Sequence, residues 1–481
     1  MGMLGSVLML PSSAAVAAAS VVMQPAVADY QQLSTSATPP TQAQCNSVNR
    51  RCFSPQAVYA AYNLSPLYAS GKDGTGTTIA IVDSFGSDTI SHDLNVFNTA
   101  FGLPHMCGED GVACATGMPT FSQLHLEGSP ATKPNPGKNS TGQEDKSAWA
   151  LEVSLDVEWA HAIAPGANIL LVTTPTAETL GVQGFPNFMN AEQYVVDHHL
   201  ANIITQSFGS AEDAFGSFNS LLNLRHAFVS AAASNVTVLA SSGDNGTANI
   251  RKTPVKNPQT IPFPTVSWPA SDPLVTGVGG TYLCTDANNT TTRTVDSVSP
   301  PVNCQSNPGV AEVGWIAAGG GFSHVFSKPA YQNTLPAGST AIGSMRGVPD
   351  VGLMASSRTG VLVYITLPPY SGILCGSSPC STGWYVVGGT SVSSPEWAGI
   401  VAIADQVNGS PLGLINPALY TIGANPARYA ADFYDVTTGN NQLDPSVPGY
   451  PATTGWDPVT GLGTPNAAVF VPDLVAAANG S

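Results

Sequence analysis

Short β-branched runs alternate with helical stretches from residue 77 onward, and this alternation constrains the fold more than any other feature. The strand-like runs cover residues 77–83, 168–173, 202–207 and 236–242. Helical patterns between them lie around residues 145–163, 189–199 and 213–233. Strand, helix, strand at this spacing indicates βαβ units. The sequence therefore predicts an α/β fold with a mostly parallel, buried sheet flanked by helices, in a single large domain.

Charged residues are scarce, and most of them are carboxylates. Of the 481 residues, 43% are hydrophobic and 10% are charged, with 31 Asp and Glu against 15 Lys and Arg. The formal net charge of -16 disfavours nucleic acid or an anionic membrane as a partner. Because carboxylates become neutral in acid, self-repulsion at low pH stays small. We therefore expect a protein adapted to an acidic environment.

The N-terminal residues and the cysteines predict a secreted, extracellular protein. Residues 1–28 are apolar and Ala-rich, and they end in the small-x-small pattern of a signal-peptide cleavage site. Residues 29–52 are expected to be a lead-in or a residual prosegment before a domain at residues 53–481. The cysteines form near neighbours that suit disulfides in surface loops, although the connectivity stays open: Cys45 and Cys52, Cys107 and Cys114, Cys284 and Cys304, Cys375 and Cys380.

The strongest local motif is Gly-Gly-Thr-Ser, which ends at Ser391 and precedes an apolar helical run. Two glycines allow a sharp turn, and Pro395 is tolerated in the first turn of a helix, so Ser391 is predicted at a helix N-terminus. There its N–H and the helix dipole would stabilise an oxyanion, which makes Ser391 a candidate nucleophile. A serine that only caps the helix is equally consistent with the motif.

Carboxylates are the candidate bases, because none of the eight histidines lies in a catalytic signature. Glu152 and Asp156 are four residues apart on one face of a predicted helix and would titrate as a pair. In isolation, an ordinary solvated acidic face is the favoured interpretation. Asp244 follows a strand in a Ser-Gly-Asp-Asn-Gly segment, where a protonated carboxyl could donate to an oxyanion. A simple turn is the alternative there.

Together these motifs resemble the sedolisin family, the serine-carboxyl peptidases with a subtilisin-like fold. The Glu-x-x-x-Asp, Ser-Gly-Asp and Gly-Thr-Ser motifs occur in the family's chain order, and the resemblance extends over about residues 53–470. Further matching segments are residues 268–271, 278–281, 319–323 and 346–351. The resemblance implies that Ser391 is the nucleophile and Glu152 the general base. It also implies that Asp156 orients Glu152 and that protonated Asp244 binds the oxyanion.

The resemblance also implies one structural Ca²⁺ in a loop at residues 435–457. Two carboxylates and several backbone carbonyls are hard-oxygen ligands of the kind that Ca²⁺ prefers. Without the resemblance, a Gly- and Asp-rich turn without metal would be favoured. The implied ligands are Asp435, Asp457 and the carbonyls of Val436, Thr453 and Gly455.

One position differs from the family's motifs, and one further residue adds to them. The family's Ser-Trp-Gly reads Ser207-Phe208-Gly209 here, which is expected to keep an aromatic wall in the cleft without the indole donor. Asp83 ends the first strand of the pattern, where some relatives place an acid coupled to the Glu-Asp pair. A strand-end Asp is also a common turn former.

The sequence thus predicts a secreted, acid-acting serine endopeptidase that cleaves polypeptides through an acyl-enzyme on Ser391. A monomer is expected, with no nucleic-acid or membrane partner. One alternative is a neutral subtilisin-like protease that uses Asp83, a histidine and Ser391. A second alternative is a secreted binding module that keeps the fold and has lost catalysis.

Overall fold

The computed structural model describes residues 24–25, 29–126, 141–174, 184–253, 257–368, 371–375 and 377–480. The predicted signal peptide therefore lies almost wholly outside the described residues. The helices are α1 (Gln42–Ser47), α2 (Pro55–Ala61), α3 (Ser65–Ala69), α4 (Ile90–Phe101), α5 (Thr141–Ile163), α6 (Phe185–Asp197), α7 (Phe218–Leu222), α8 (His226–Ala233), α9 (Val302–Gln305), α10 (Thr390–Asn408), α11 (Asn416–Ala424), α12 (Pro426–Asp432) and α13 (Ala467–Ala478). The strands are β1 (Gln24–Pro25), β2 (Asp29–Ser34), β3 (Arg51–Phe53), β4 (Thr78–Ser84), β5 (Phe121–His125), β6 (Asn168–Thr174), β7 (Ile203–Gln206), β8 (Phe208–Ala211), β9 (Thr237–Ser241), β10 (Ile250–Thr253), β11 (Asn257–Thr260), β12 (Ser267–Trp268), β13 (Thr276–Leu283), β14 (Glu312–Gly314), β15 (Gly321–Ser327), β16 (Met345–Val348), β17 (Val351–Met354), β18 (Thr359–Ile365), β19 (Leu374–Cys375), β20 (Ser378–Pro379), β21 (Gly383–Gly388), β22 (Phe433–Tyr434) and β23 (Thr464–Pro465).

The main sheet has the order β14-β13-β9-β7-β4-β6-β5, and β17 also pairs with β13. Its ladders are parallel except for the antiparallel pair of β13 and β14. The central strands read as continuous apolar runs because helices cover both faces of the sheet. The predicted mostly parallel sheet flanked by helices is confirmed.

Successive residues of β4 divide the core into two layers. Ile79 and Ile81 pack in the layer that contains α5 and α10, whereas Ala80 and Val82 pack in the layer that contains α6 and α8. This division follows from the alternation of side chains along a strand. Because Asp83 continues the series of odd-numbered positions, its side chain lies on the side of α5 and α10.

The predicted helix over residues 213–233 is wrong in its first half. The chain there completes a short 3₁₀ turn at Glu212–Ala214 and forms α7 and only then α8. Ser217 starts a new helix because its hydroxyl accepts from the N–H of Ser220, whose own hydroxyl interacts with the backbone of Ser217. A capping box of this kind interrupts the continuous helical pattern.

Residues 29–52, expected as a lead-in, contain β2 and α1. Strand β2 pairs antiparallel with β21 in a second sheet of order β2-β21-β18-β3. Asp29 in β2 accepts hydrogen bonds from Arg50 and Ser357. This segment is thereby attached to the strand that leads to Ser391.

All eight cysteines form disulfides, and the pairs are the four sequential ones: Cys45–Cys52, Cys107–Cys114, Cys284–Cys304 and Cys375–Cys380. Each bridge closes a loop of at most 20 residues. Within the described ranges, none of the helices combines the length and apolar character that a membrane span requires.

Candidate active site

Five of the side chains of interest come together where parallel strands end. Asp83 lies near the end of β4, Ser207 directly follows β7, and Asp244 follows β9. In parallel sheets the carboxyl ends of neighbouring strands meet at one edge, which is the usual position of ligand-binding groups. Helices α5 and α10 pack against each other on this sheet and bring Glu152 and Ser391 to the same edge.

Ser391 lies in the first turn of α10, as the Gly-Gly-Thr-Ser motif predicts. Gly389 has φ 143°, and a Cβ at Gly388 would lie 2.0 Å from the backbone N of Ser357. Both positions therefore require glycine. Backbone N–H groups in the first turn of a helix have no partner within that helix, so the Ser391 N–H is available to an anion. Ser391 itself is fully buried.

The Glu152 and Asp156 carboxyls are fully buried in α5, so the solvated acidic face considered from the sequence is wrong. The hydroxyl of Ser207 donates to Asp156 Oδ1 over 3.1 Å. Hydroxyl interactions with Ser391 and Ser207 act to lower the pKa of Glu152. Glu152 is thus near enough to the Ser391 hydroxyl for that hydroxyl to affect its pKa, although Ser391 Oγ and both oxygens of Glu152 have no hydrogen-bond partner within the described residues. A base for Ser391 is needed at this position.

Burial dominates the electrostatics of this cluster. It raises the pKa of Glu152 and of Asp156 well above their ordinary values, and the neighbouring charge of Asp83 raises both further. Burial also raises the pKa of Asp83 from 3.8 to about 8. Among the described residues, no lysine or arginine forms an ion pair with any of the three. The cluster therefore holds protons at pH values where exposed carboxyls are ionised.

Asp244 is anchored to the residue that precedes the nucleophile. Its Oδ1 accepts from the backbone N–H of Thr390 at 2.8 Å and from the Thr390 hydroxyl at 2.9 Å. The hydroxyl of Thr390 in turn accepts from the N–H of Gly243 at 3.0 Å. The charge of Asp244 also raises the pKa of Glu152. Asp244 is therefore placed beside the N-terminus of α10, close enough to act on both Glu152 and the start of the nucleophile helix.

Ser207 and Thr390 make contacts in the site that their sequence motifs did not predict. Ser207 belongs to the segment after β7, and Thr390 belongs to the motif before Ser391. Their partners, Asp156 and Asp244, lie 51 and 146 residues away along the chain. The available signal was the position of Ser207 at the strand edge shared with Asp83 and Asp244.

The histidines make their contacts elsewhere. In the described part of the chain, no histidine hydrogen-bonds to Ser391 Oγ. His105 contacts Glu109, His324 contacts Asp213, and His161 contacts the Pro104 carbonyl. Burial lowers the pKa of His161 to about 4. It is thus neutral above that pH.

Phe208 does not form a cleft wall, contrary to the expectation from its motif. Its side chain is fully buried, and its ring lies 4.3 Å from the Phe188 ring between centroids. Alternation along β8 explains this, because the side chain points into the apolar layer of α6 and α8. An aromatic residue at this position therefore packs in the hydrophobic core.

The predicted calcium loop contains a donor set of suitable chemistry. Gly455 N–H donates to both oxygens of Asp435, and Asp457 accepts from the N–H groups of Thr453, Val459 and Thr460. Burial raises the pKa of Asp457 to about 7, a cost that a bound cation would offset.

The three carbonyls implied as ligands, those of Val436, Thr453 and Gly455, accept no hydrogen bond within the described residues. No group of three or more His, Cys, Asp or Glu side chains suited to a metal occurs among the residues described. A site here would therefore rely on these free carbonyls beside two carboxylates, and the residues fit a hard cation.

Comparison with known proteins gives consistent relatives. The chain is 30% identical over 444 residues to kumamolisin from Bacillus sp. (strain MN-32), which spans 91% of this chain and 66% of kumamolisin. It is 30% identical over 354 residues to human tripeptidyl-peptidase 1, which spans 69% of this chain and 53% of that protein. The chain thus covers less than two thirds of the length of these relatives.

A solved structure of Pseudomonas sedolisin, a serine-carboxyl proteinase complexed with two molecules of pseudo-iodotyrostatin, superposes with a TM-score of 0.63 at 25% identity. The superposition covers 88% of this chain and 98% of sedolisin. No protein-family model matches the chain. On the combined sequence and structural similarity, the chain belongs to the sedolisin family.

Proposed function

We propose that this protein is a serine-carboxyl peptidase that cleaves polypeptides in acid. The observation that carries the proposal is the buried Glu152 beside the Ser391 hydroxyl, at the N-terminus of α10. A buried carboxyl without a cationic partner costs free energy, so its retention next to a serine hydroxyl indicates chemistry. The relatives named above, a serine-carboxyl proteinase and a tripeptidyl-peptidase among them, support the same class.

In the proposed reaction, Ser391 Oγ attacks the carbonyl carbon of the scissile peptide and its proton moves to Glu152. The oxyanion that forms accepts from the Ser391 N–H and from the protonated carboxyl of Asp244. The C–N bond then breaks as Glu152 gives the proton to the leaving amine, which leaves an acyl-enzyme. Water attacks the acyl carbon, again losing a proton to Glu152, and Ser391 Oγ recovers a proton as the acid product departs.

The protonation states that the carboxyls of the site must have confine this reaction to acid. Glu152 must be ionised to accept a proton, while Asp244 must remain protonated to donate to the oxyanion. Asp156 and Asp83 take up protons that Glu152 would otherwise hold, so the cluster carries a single negative charge. As the pH approaches neutrality, further ionisation brings a second negative charge next to the developing oxyanion and opposes it.

The strand β8, which directly follows Ser207, supports an extended polypeptide as substrate. Both of its neighbours belong to this chain, since β1 and β12 each pair antiparallel with it. A strand edge binds an extended peptide through main-chain hydrogen bonds with little dependence on side chains. We expect an extended substrate to replace β1 at this edge.

We further propose that one Ca²⁺ binds the loop at residues 435–457 and that the protein is secreted. Asp435, Asp457 and the three free carbonyls would hold the ion, which would stabilise the loop without entering the reaction. The disulfides and the predicted signal sequence support an extracellular location.

The test is hydrolysis of an unfolded protein from about pH 2.5 to 8 by the purified chain and by two variants. Ser391→Ala is expected to abolish hydrolysis, and Glu152→Gln to lower kcat by about 10²- to 10⁴-fold. Ser393→Ala, which removes a buried hydroxyl bound to the Met354 carbonyl, serves as the matched control. Activity that persists at neutral pH would instead support a histidine-assisted protease. Its absence at every pH would support a binding module.

A further inference from the structure

The hydrogen bonds around Asp244 determine which of its two oxygens can carry a proton. Oδ1 accepts two hydrogen bonds, from the backbone N–H and the hydroxyl of Thr390. An oxygen that bears a proton is a poor acceptor, so two donors at Oδ1 disfavour protonation there. A proton on this carboxyl therefore resides on Oδ2.

The direction of the Thr390 hydroxyl is itself fixed. Its oxygen accepts from the Gly243 N–H at 3.0 Å, which leaves its hydrogen to donate to Asp244 Oδ1. Thr390 is fully buried, and its methyl group faces Gly280 of β13, where an added Cβ would lie 3.4 Å from that methyl. Packing around a β-branched side chain restricts its rotation, so the hydroxyl cannot readily turn away.

We propose that Thr390 is a positioning residue that keeps the Asp244 proton on Oδ2, the oxygen that does not accept from Thr390, and so leaves that proton to donate to the oxyanion. This inference rests on the proposed function, because it concerns how Asp244 would donate during peptide hydrolysis. Without the Thr390 hydroxyl, Asp244 Oδ1 loses one of the two donors that residue 390 provides, and the preference of the proton for Oδ2 weakens. A misdirected proton removes one donor from the oxyanion in the transition state.

The same hydroxyl affects the pH at which Asp244 loses its proton. A hydrogen bond donated to a carboxylate stabilises the ionised form. Glu152 acts on Asp244 from α5, with Asp156 and Asp83 behind it. Residues 314–320 and 439–443, which approach the neighbouring Gly246, contain no titratable side chain. Removing the hydroxyl should therefore move the alkaline limb of kcat to higher pH by about one unit while turnover falls.

The experiment compares Thr390→Ser with Thr390→Ala, which both lack the methyl group and differ only in the hydroxyl. We expect Thr390→Ala to have a kcat about 10- to 100-fold below that of Thr390→Ser, with little change in KM, because the lost contact forms only in the transition state. We also expect its alkaline limb to lie at higher pH, and that of Thr390→Ser to match the unsubstituted chain. Thr390→Val, with the original volume, should behave as Thr390→Ala.

Two controls separate this role from a structural one. Ser393→Ala removes another buried hydroxyl of α10 and should leave the alkaline limb in place. Thermal unfolding in acid reports whether each variant folds, and the Ser and Ala pair remains comparable even if the Val variant does not fold. Equal kcat and equal alkaline limbs for the Ser and Ala variants would overturn this inference but not the proposed function. A lack of Ser391-dependent hydrolysis by the unsubstituted chain would overturn the proposed function and this inference with it.

Discussion

Asp405 offers a test of how buried carboxyls set the pH dependence of stability, at a position that takes no part in the proposed reaction. It lies in the last turn of α10 with 2% of its surface exposed. Its Oδ1 accepts from the Leu412 N–H at 2.9 Å, and Oδ2 has no partner within the described residues. Burial raises the pKa of Asp405 from an ordinary 3.8 to about 7. The negative end of the helix dipole opposes ionisation further.

The direction in which stability changes with pH follows from proton binding. Between about pH 4 and 7 the folded protein holds a proton on Asp405 that the unfolded chain has lost, so the free energy of unfolding falls as the pH rises. The difference between 3.8 and about 7 corresponds to about 4 kcal/mol, at about 1.4 kcal/mol per pKa unit. Relaxation around the carboxylate reduces this, so we expect about 2 to 4 kcal/mol.

Asp405→Asn should remove this contribution, because an amide keeps an acceptor for Leu412 and never ionises. The assay is denaturant unfolding of both chains at pH 3.5 and pH 7.5, in an Ser391→Ala background that prevents self-digestion. We expect similar free energies of unfolding at the lower pH and a variant that is more stable by about 2 to 4 kcal/mol at the higher pH. The exposed Asp110→Asn is the control and should show no such change. A difference between Asp405→Asn and its parent that is the same at both pH values would refute the reasoning.

Three further predictions concern the site and the loops. Asp83→Asn should leave the acid limb of kcat/KM in place, because burial raises the pKa of Asp83 to about 8 and its carboxyl is already uncharged in acid; a limb that moves in a pH–rate profile would contradict this. Replacing both cysteines of the Cys284–Cys304 bridge, which are 20 residues apart, should cost about 3 kcal/mol in denaturant unfolding. The Cys375–Cys380 bridge, with a separation of 5, should cost about 2 kcal/mol, and a reversed order would argue against the loop-entropy account. Chelation of Ca²⁺ should lower the unfolding temperature by about 2 to 4 °C for each kcal/mol of binding free energy that is lost. An Asp435→Asn variant whose unfolding temperature falls as much on chelation as that of the unsubstituted chain would exclude this loop as the site.

Local patterns in the sequence predicted the parts of the site that depend on neighbouring residues. The two glycines before Thr390 and Ser391 allow only a sharp turn into a helix, and this turn occurs in the structure. Glu152 and Asp156 share a helix face because they are four residues apart. The strand and helix alternation predicted the parallel sheet because buried strands and covering helices have different apolar periods.

The failures have two causes. Phe208 was expected in the cleft, yet the direction of a side chain on a short strand follows from the register with its neighbours, which are distant in sequence. Local propensity carries no information about that register. The pattern over residues 213–233 looked helical, but Ser217 and Ser220 form a capping box that starts a separate helix, a local signal that the apolar pattern did not include.

Spacing along the chain is enough to predict the order of the elements, the turn before Ser391 and the position of Glu152 and Asp156 on one helix face. Packing in three dimensions was needed to show that these carboxyls are buried near Asp83, that Ser207 donates to Asp156, and that Thr390 donates to Asp244. Each of these contacts joins segments separated by at least 51 residues. A carboxyl's pKa and the donors it accepts from depend on its three-dimensional surroundings, so the chemistry that these carboxyls support is defined only once the sheet and its helices have packed.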